Sequence, residues 1–300
     1  LGPTLFLTYI NDLPHSTNYF NFRLFADDSN IFHTYDASQT DIDINEVNEQ
    51  LNEVQKWCYA NKLTINLKKT NYMFIKSKRQ IVNINNVLRL ADTDINEVSV
   101  ASFVGVQIDN SLTWKHHIEC VNKSVRRKVG LLFKLRYFVP QYILVLLYKC
   151  FIQPHILYGI EVWGSSYKSH MNCIYLSQKM AMRAITFSLF RTSSKPLFQN
   201  LKILDVFSLH ELAVSTFMYD LFDGNSPHYL LEYCEVLDHT YRTRGKDNLM
   251  LRLSICRTTH GTFSISFVGS KLWNSLPPEI KGKKTRYSFC KALTMYLVNK

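Results

Sequence analysis

The 300-residue sequence predicts an α+β fold, with short strands and turns in its first third and helices through most of the rest. Three patterns carry that reading. "FRLFADDSNIFHT", residues 22 to 34, sets aromatic-rich runs on either side of Asp27 and Asp28, as a β-hairpin does. Ile44, Val47, Leu51, Val54 and Cys58 step by three and four, a helical stripe. After Trp114 the apolar spacing is helical for most of the remaining chain.

Taken in order, "LFLTYINDLP" reads as an apolar helix ending at Pro14, and "HSTNYFN" as a polar loop. The hairpin follows, with the Asp pair at or near its turn. The helix begun at Ile44 carries Asp43 and Glu46 near its start and Lys56 and Lys62 near its end, as the helix dipole prefers. "LTINLKKTNYMFIK" reads as a turn entering a strand. "VLRLADTDINEVSVASFVGVQID" reads as further short strands, with Gly105 at a tight bend. "YILVLLYKCFI", residues 142 to 152, is interrupted by Lys149 and bracketed by Pro140 and Pro154; it is too short to span a bilayer and predicts a buried helix. "PLFQNLKILDVFSLHELAVSTFMYDLF" reads as helical. "HGTFSISFVGSKLWNSLPPEIK" reads as a strand or loop and then a short helix.

Composition narrows the classes. Apolar residues make up 46% of the chain, enough for a sizeable core. Seven cysteines without a C-x-x-C pair argue against a zinc ribbon or a disulfide framework and predict reduced thiols in an intracellular protein, nucleus and cytoplasm being indistinguishable. No signal peptide and no membrane association are expected. A start at Leu1, followed by Gly2, Pro3 and an apolar run, reads as the middle of something larger. The net charge of +11 is unevenly spread: residues 1–60 hold two basic and nine acidic residues, a net of −7, and residues 61–300 hold 33 and 15, a net of +18. The basic part predicts a polyanionic partner.

Adjacent carboxylates at a hairpin tip repel, and water or a cation must offset that. Two solvated turn residues would account for Asp27 and Asp28; so would a divalent-metal site, because Mg²⁺ is usually held by one or two carboxylates with phosphates and water. In "WKHHIECVNKSVRRKVGLLFKLRYFV", His116, Lys123, Arg127 and Lys134 fall within about 20° of one line on a helix. Ile118, Val121, Val125, Val129 and Leu132 gather opposite. The basic stripe is about 27 Å long at roughly 1.5 Å per residue. A solvated amphipathic face and a surface that tracks a nucleic-acid backbone both fit it. Trp57, Trp114, Trp163 and Trp273 are expected in the core rather than on bases. Arg242 and Arg244 in "YRTRG" fit a phosphate site or a plain surface loop equally.

"LGPTLFLTYINDLP", "FADDS", "WCYANKLTINLKKTNYMFI" and "FVGVQIDNSLTW" occur in this order at short spacing. Together they resemble the reverse transcriptase of non-LTR (LINE-type) retrotransposons. "KLRYFVP", "PHILYGIEVWG", "LSQKMAMRAI", "YRTRG" and "GSKLWNSLPPEIK" resemble the later part of its jockey- and CR1-like members, so the likeness runs through nearly the whole chain. The resemblance implies a C-terminal portion of that enzyme. Residues 1–76 would be a partial palm with a small antiparallel sheet backed by helices, and 77–112 primer-grip strands. Residues 113–190 would be a helical thumb, and 191–300 a mostly helical region of unknown role.

Carried over residue by residue, the resemblance makes Asp27 and Asp28 the metal-binding catalytic pair and puts Phe25 and Ala26 in the strand before the turn. Gly2 and Pro3 would lie against template and incoming nucleotide, Lys69 near the triphosphate, and Phe103, Gly105 and Val106 in the primer grip. The duplex-tracking residues would be Lys123, Arg127 and Lys134. The implied cofactor is Mg²⁺, two ions in the intact enzyme, with Mn²⁺ as a substitute. The implied partners are an RNA template, a DNA primer or RNA–DNA hybrid, and deoxynucleoside triphosphates. The family's upstream catalytic aspartate and Gln-Gly-Ser segment would fall before Leu1, so activity of this chain by itself is not expected. The rival reading is a non-catalytic nucleic-acid-binding remnant of a truncated element; a metal-dependent phosphohydrolase has only the Asp pair behind it.

Overall fold

A computed structural model describes residues 1–36, 41–42, 44–77, 83–84, 87–237 and 250–300. Arg242 and Arg244 lie outside the described residues. The chain divides into two units, Leu1–Leu112 and Thr113–Lys300.

The first unit opens with α1 (Gly2–Ile10), where Pro3 occupies the first turn. Proline is accommodated there because its missing N–H has no helical acceptor in any case. A single 3₁₀ turn, Leu13–Ser16, follows. Strands β1 (Asn21–Phe25) and β2 (Asp28–Phe32) pair antiparallel. Helix α2 (Ile44–Ala60) buries the stripe seen in the sequence, Ile44, Val47, Leu51, Val54 and Cys58. Val47, Leu51, Val54 and Cys58 pack with Ile10, Leu13, Phe20, Phe22 and Leu90 into one core, each large aliphatic contributing roughly 1.5–3 kcal/mol by leaving water. The Tyr9 hydroxyl donates to the Asn61 carbonyl and the Thr17 hydroxyl to Gln50 Oε1 (2.5 Å), so the middle and the C-terminal end of α2 are tied to the segment that leads into β1.

A small antiparallel sheet is expected here, and β1–β2 is one, but it stays two-stranded among the described residues. The described strands make separate two-stranded sheets. Besides β1–β2, these are β3 (Asp41–Ile42) with β5 (Asn83–Ile84), β4 (Asn71–Tyr72) with β8 (Asn96–Glu97), β6 (Arg89–Leu90) with β7 (Thr93–Asp94), and β9 (Val100–Phe103) with β10 (Val106–Asp109). The β3–β5 and β4–β8 pairs are parallel. Strands of two residues offer too few ladder bonds to extend sideways, and α2 supplies the apolar surface that a wider sheet would otherwise provide.

The second unit is helical. Its central helix α3 (Lys115–Leu135) buries Ile118, Val121, Val125, Val129 and Leu132, the apolar face predicted, together with His117. The segment 142–152, predicted as a buried helix, is α4 (Gln141–Leu147) followed by a π turn, Tyr148–Ile152, but only Leu144, Tyr148 and Ile152 are buried in it; Tyr142, Leu146 and Phe151 are exposed, so one face alone enters the core. Short α5 (Gln153–Leu157) and α6 (Ile160–Trp163) lead to α7 (Lys168–Thr186), which packs along α3. The long helical run expected from "PLFQN" onward is broken: α8 (Ser194–Leu201) stops, Lys202 takes a left-handed conformation (φ 51°), and Asp205 caps α9 (Val206–Phe222) by accepting from the Ser208 N–H. Gln178 on α7 holds that junction. Its amide donates to the Tyr148 hydroxyl (2.8 Å) and its carbonyl accepts from the Val206 N–H (2.7 Å), all buried. Burial pushes the Tyr148 hydroxyl pKa up. Helices α10 (Ile265–Ser275), α11 (Pro278–Lys281) and α12 (Arg286–Asn299) complete the unit; Trp273, Phe289 and Tyr219 stack between α10, α12 and α9. Trp163 and Trp273 are buried, as expected of core residues, while Trp57 and Trp114 are half-buried.

Candidate metal site and nucleic-acid interface

The β1–β2 register pairs Phe25 with Asp28, which leaves Ala26 and Asp27 as a two-residue turn. Such turns need a positive φ at one or both central positions to match strand twist. Here Ala26 takes it, at φ 50°. This corrects the placement of Ala26 in the strand. An alanine in that region costs of order 1 kcal/mol that glycine would not, and strain of this kind concentrates at functional turns. Phe22 and Leu24 face the core, so the alternation of β1 puts Phe25, and opposite it Asp28, on the outer face. Asp27 and Asp28 are both exposed. Among the described residues neither carboxylate accepts a hydrogen bond or meets a cation. The base of the hairpin is fixed by His33, whose ring stacks on Tyr19 at 4.2 Å.

The donor set suits a hard divalent cation: two adjacent carboxylates, open to solvent and without a competing countercharge. It is a partial set. Among the described residues no three His, Cys, Asp or Glu side chains gather where they could hold a metal ion.

The other positions taken from the resemblance sit on separate elements. Gly2 and Pro3 lie exposed at the start of α1, and a Cβ on Gly2 would meet nothing within 4 Å. Lys69 is exposed in the turn before β4, its N–H bonded to the Asn66 carbonyl (3.0 Å), and it pairs with neither aspartate. Phe103 and Val106 face each other across the β9–β10 hairpin. Its turn residues Val104 and Gly105 both have positive φ, 46° and 77°. That is natural for glycine and strained for a β-branched valine.

In the second unit His116, Lys123, Arg127 and Lys134 are all exposed, opposite the buried face of α3. Lys123, Arg127 and Lys134 make no ion pair among the described residues. Arg126, which the single-line stripe left out, is exposed as well, and with Asn122, Lys123, Arg127 and Glu119 it lines a shallow groove along the helix. Lys128 is half-buried and donates to Ser124 Oγ (2.8 Å); burial, then the charge of Arg127, lowers its pKa. His117 turns inward and is no candidate ligand; burial, then the neighbouring His116, lowers its pKa. Sequence reasoning also missed how few carboxylates follow Glu119. Residues 120–204 hold thirteen Lys and Arg and a single acidic residue, Glu161, a signal open to simple counting.

The chain is similar to RNA-directed DNA polymerases of Drosophila mobile elements. It is 27% identical over 201 residues to the RNA-directed DNA polymerase from mobile element jockey of Drosophila funebris, covering 62% of this chain and 21% of that protein. It is 26% identical over 200 residues to the probable RNA-directed DNA polymerase from transposon BS of Drosophila melanogaster, with coverage of 62% and 21%. The probable polymerase from transposon X-element of the same species is 25% identical over 214 residues, 69% of this chain and 23% of that protein. The chain thus spans about a fifth of the length of the curated relatives it matches. No family model and no solved structure matches it. Among the described residues no helix is long and apolar enough to cross a membrane.

Proposed function

We propose that this chain is the later part of a non-LTR retrotransposon reverse transcriptase: residues 1–76 from the palm, 77–112 the primer grip, 113–190 the thumb, and 191–300 a helical extension. The observation that carries the reading is the exposed Asp27–Asp28 pair at a strained two-residue turn, in a chain similar to RNA-directed DNA polymerases. Asp27 and Asp28 hold Mg²⁺ or Mn²⁺ at the hairpin tip. Such ions activate an attacking oxygen and stabilise a leaving one in nucleotidyl transfer. The hairpin keeps both carboxylates clear of internal cations, so their charge is available to a metal and to the triphosphate it accompanies. The substrates are deoxynucleoside triphosphates and a primer on an RNA template. The α3 stripe neutralises backbone phosphates of the duplex without reading its sequence.

Mn²⁺ tests the metal role directly. With an RNA–DNA hybrid and a deoxynucleoside triphosphate present, paramagnetic broadening should centre on the amides of residues 24–30 and vanish in Asp27→Asn/Asp28→Asn. Broadening that survives both substitutions would overturn the assignment. A second reading, nucleic-acid binding without catalysis, is favoured by the incomplete donor set among the described residues. Primer extension by the 300-residue chain decides between them: hybrid binding without extension supports the binding module, and extension abolished by Asp27→Ala supports the enzyme.

A further inference from the structure

Helices α3 and α7 lie side by side and run the same way. The Ser177 hydroxyl donates to Asn122 Oδ1 (2.6 Å) near their middles, and the rings of Tyr137 and Phe187 meet just past their C-terminal ends, with centroids 6.4 Å apart. The two chain segments leaving these helices are unusually apolar for a surface. Tyr137 is 72% exposed, Phe138 83% and Phe190 77%. Arginines sit on these rings in place of carboxylate partners. The Arg136 guanidinium lies 4.7 Å from the Tyr137 centroid and 5.4 Å from that of Phe187, and Arg183 lies 5.5 Å from that of Phe190. Arg136 also donates to the Tyr137 hydroxyl (2.6 Å), which orients that ring.

Exposed aromatic faces with cations beside them suit one kind of ligand well. Bases stack on the rings, and the connecting phosphates meet the arginines. The surroundings favour a polyanion over a protein partner, because Arg136 and Arg183 lie on these rings and neither is ion-paired to a carboxylate among the described residues. The cluster lies just past the C-terminal end of the stripe: Lys134, its last member, is two residues before Arg136, which turns toward α7 instead.

We propose that Arg136, Tyr137, Phe138, Arg183, Phe187 and Phe190 form a stacking platform for unpaired nucleotides, adjoining the duplex held by the α3 stripe. The proposal rests on the nucleic-acid reading of that stripe. Stacking on side chains uses the face common to all bases, so the platform takes single-stranded DNA or RNA with little sequence preference.

The test measures binding of the 300-residue chain to a blunt RNA–DNA hybrid and to the same hybrid with a short single-stranded tail. The tail should tighten binding about tenfold or more, given roughly 1–3 kcal/mol per stacked base. Tyr137→Ala/Phe138→Ala/Phe190→Ala should erase that gain and leave blunt-hybrid affinity unchanged, with circular dichroism confirming the fold. Tyr137→Phe/Phe138→Trp, which keeps the ring faces, should retain it. A wild-type chain that gains nothing from the tail, or an alanine variant that keeps the gain, overturns the platform. So does self-association of the chain that the alanine variant abolishes, which would make a second copy the occupant. The stripe is read separately. An unchanged salt dependence in Lys123→Gln/Arg127→Gln/Lys134→Gln, with the tail effect intact, would remove the stripe reading alone.

Discussion

Replacing Lys123, Arg127 and Lys134 together with glutamine removes three exposed cations from α3 and touches none of its buried residues. Lys123 and Lys134 are eleven residues apart, about 17 Å of helix at 1.5 Å per residue. Phosphates on one DNA strand recur about every 3.4 Å along the axis, so the three cations reach separate phosphates. With no carboxylate tying them down among the described residues, each is free to displace a condensed counterion. On B-form DNA each contact contributes about 0.9 to the slope of log affinity against log salt, so the triple variant should show a slope shallower by about 2.7. Between 50 and 200 mM salt, that is about 40-fold less loss of affinity than in the unsubstituted chain. Fluorescence anisotropy of a labelled duplex across salt concentrations gives both slopes. Adding Arg126→Gln should remove about 0.9 more. A folded triple variant with an unchanged slope would refute the reasoning and return the stripe to a solvated helix face.

Two further predictions concern the second unit. His210 packs against Gly164, where an added Cβ would come within 2.4 Å of the ring, and its Nε2 lies 3.1 Å from Ser165 Oγ; burial pushes its pKa down to about 4. Between pH 6.5 and about 4 the unfolded chain binds a proton there that the folded chain does not, so stability should fall as pH drops through that window, by at most about 3 kcal/mol. Thermal melts from pH 7 to 4 should show this, and His210→Gln should flatten the dependence; an equally steep variant would assign the loss to other groups. Gln178→Leu should destabilise the chain by about 2–6 kcal/mol, because it strands the buried Val206 N–H and Tyr148 hydroxyl at roughly 1–3 kcal/mol each. A shift in the urea midpoint worth less than about 1 kcal/mol would show that the site repacks or admits water.

The sequence by itself determined the elements whose signal is local. The α2 stripe from Ile44 to Cys58 and the two faces of α3 were legible because burial on one side of a helix imposes a 3.6-residue period within a short window. The β1–β2 hairpin was legible because its partner strands are adjacent in sequence, and the charge on α3 because it is composition on a known face. Tertiary structure decided what depends on residues far apart. Nothing local to Asn71 says that it pairs in parallel with Asn96, nor that Gln178 meets Tyr148 and Val206. The break between α8 and α9 is set where Gln178 accepts from the Val206 N–H, although the run reads as continuous helix. The resemblance puts Ala26 in the strand; the register of β1 on β2 instead places it in the turn, at a positive φ. Tyr137 and Phe190 sit in two unremarkable sequence segments. Tyr137 meets Phe187, three residues before Phe190, only because α3 and α7 run parallel, and helix direction is fixed by the crossover between them and by the packing of α3 along α7.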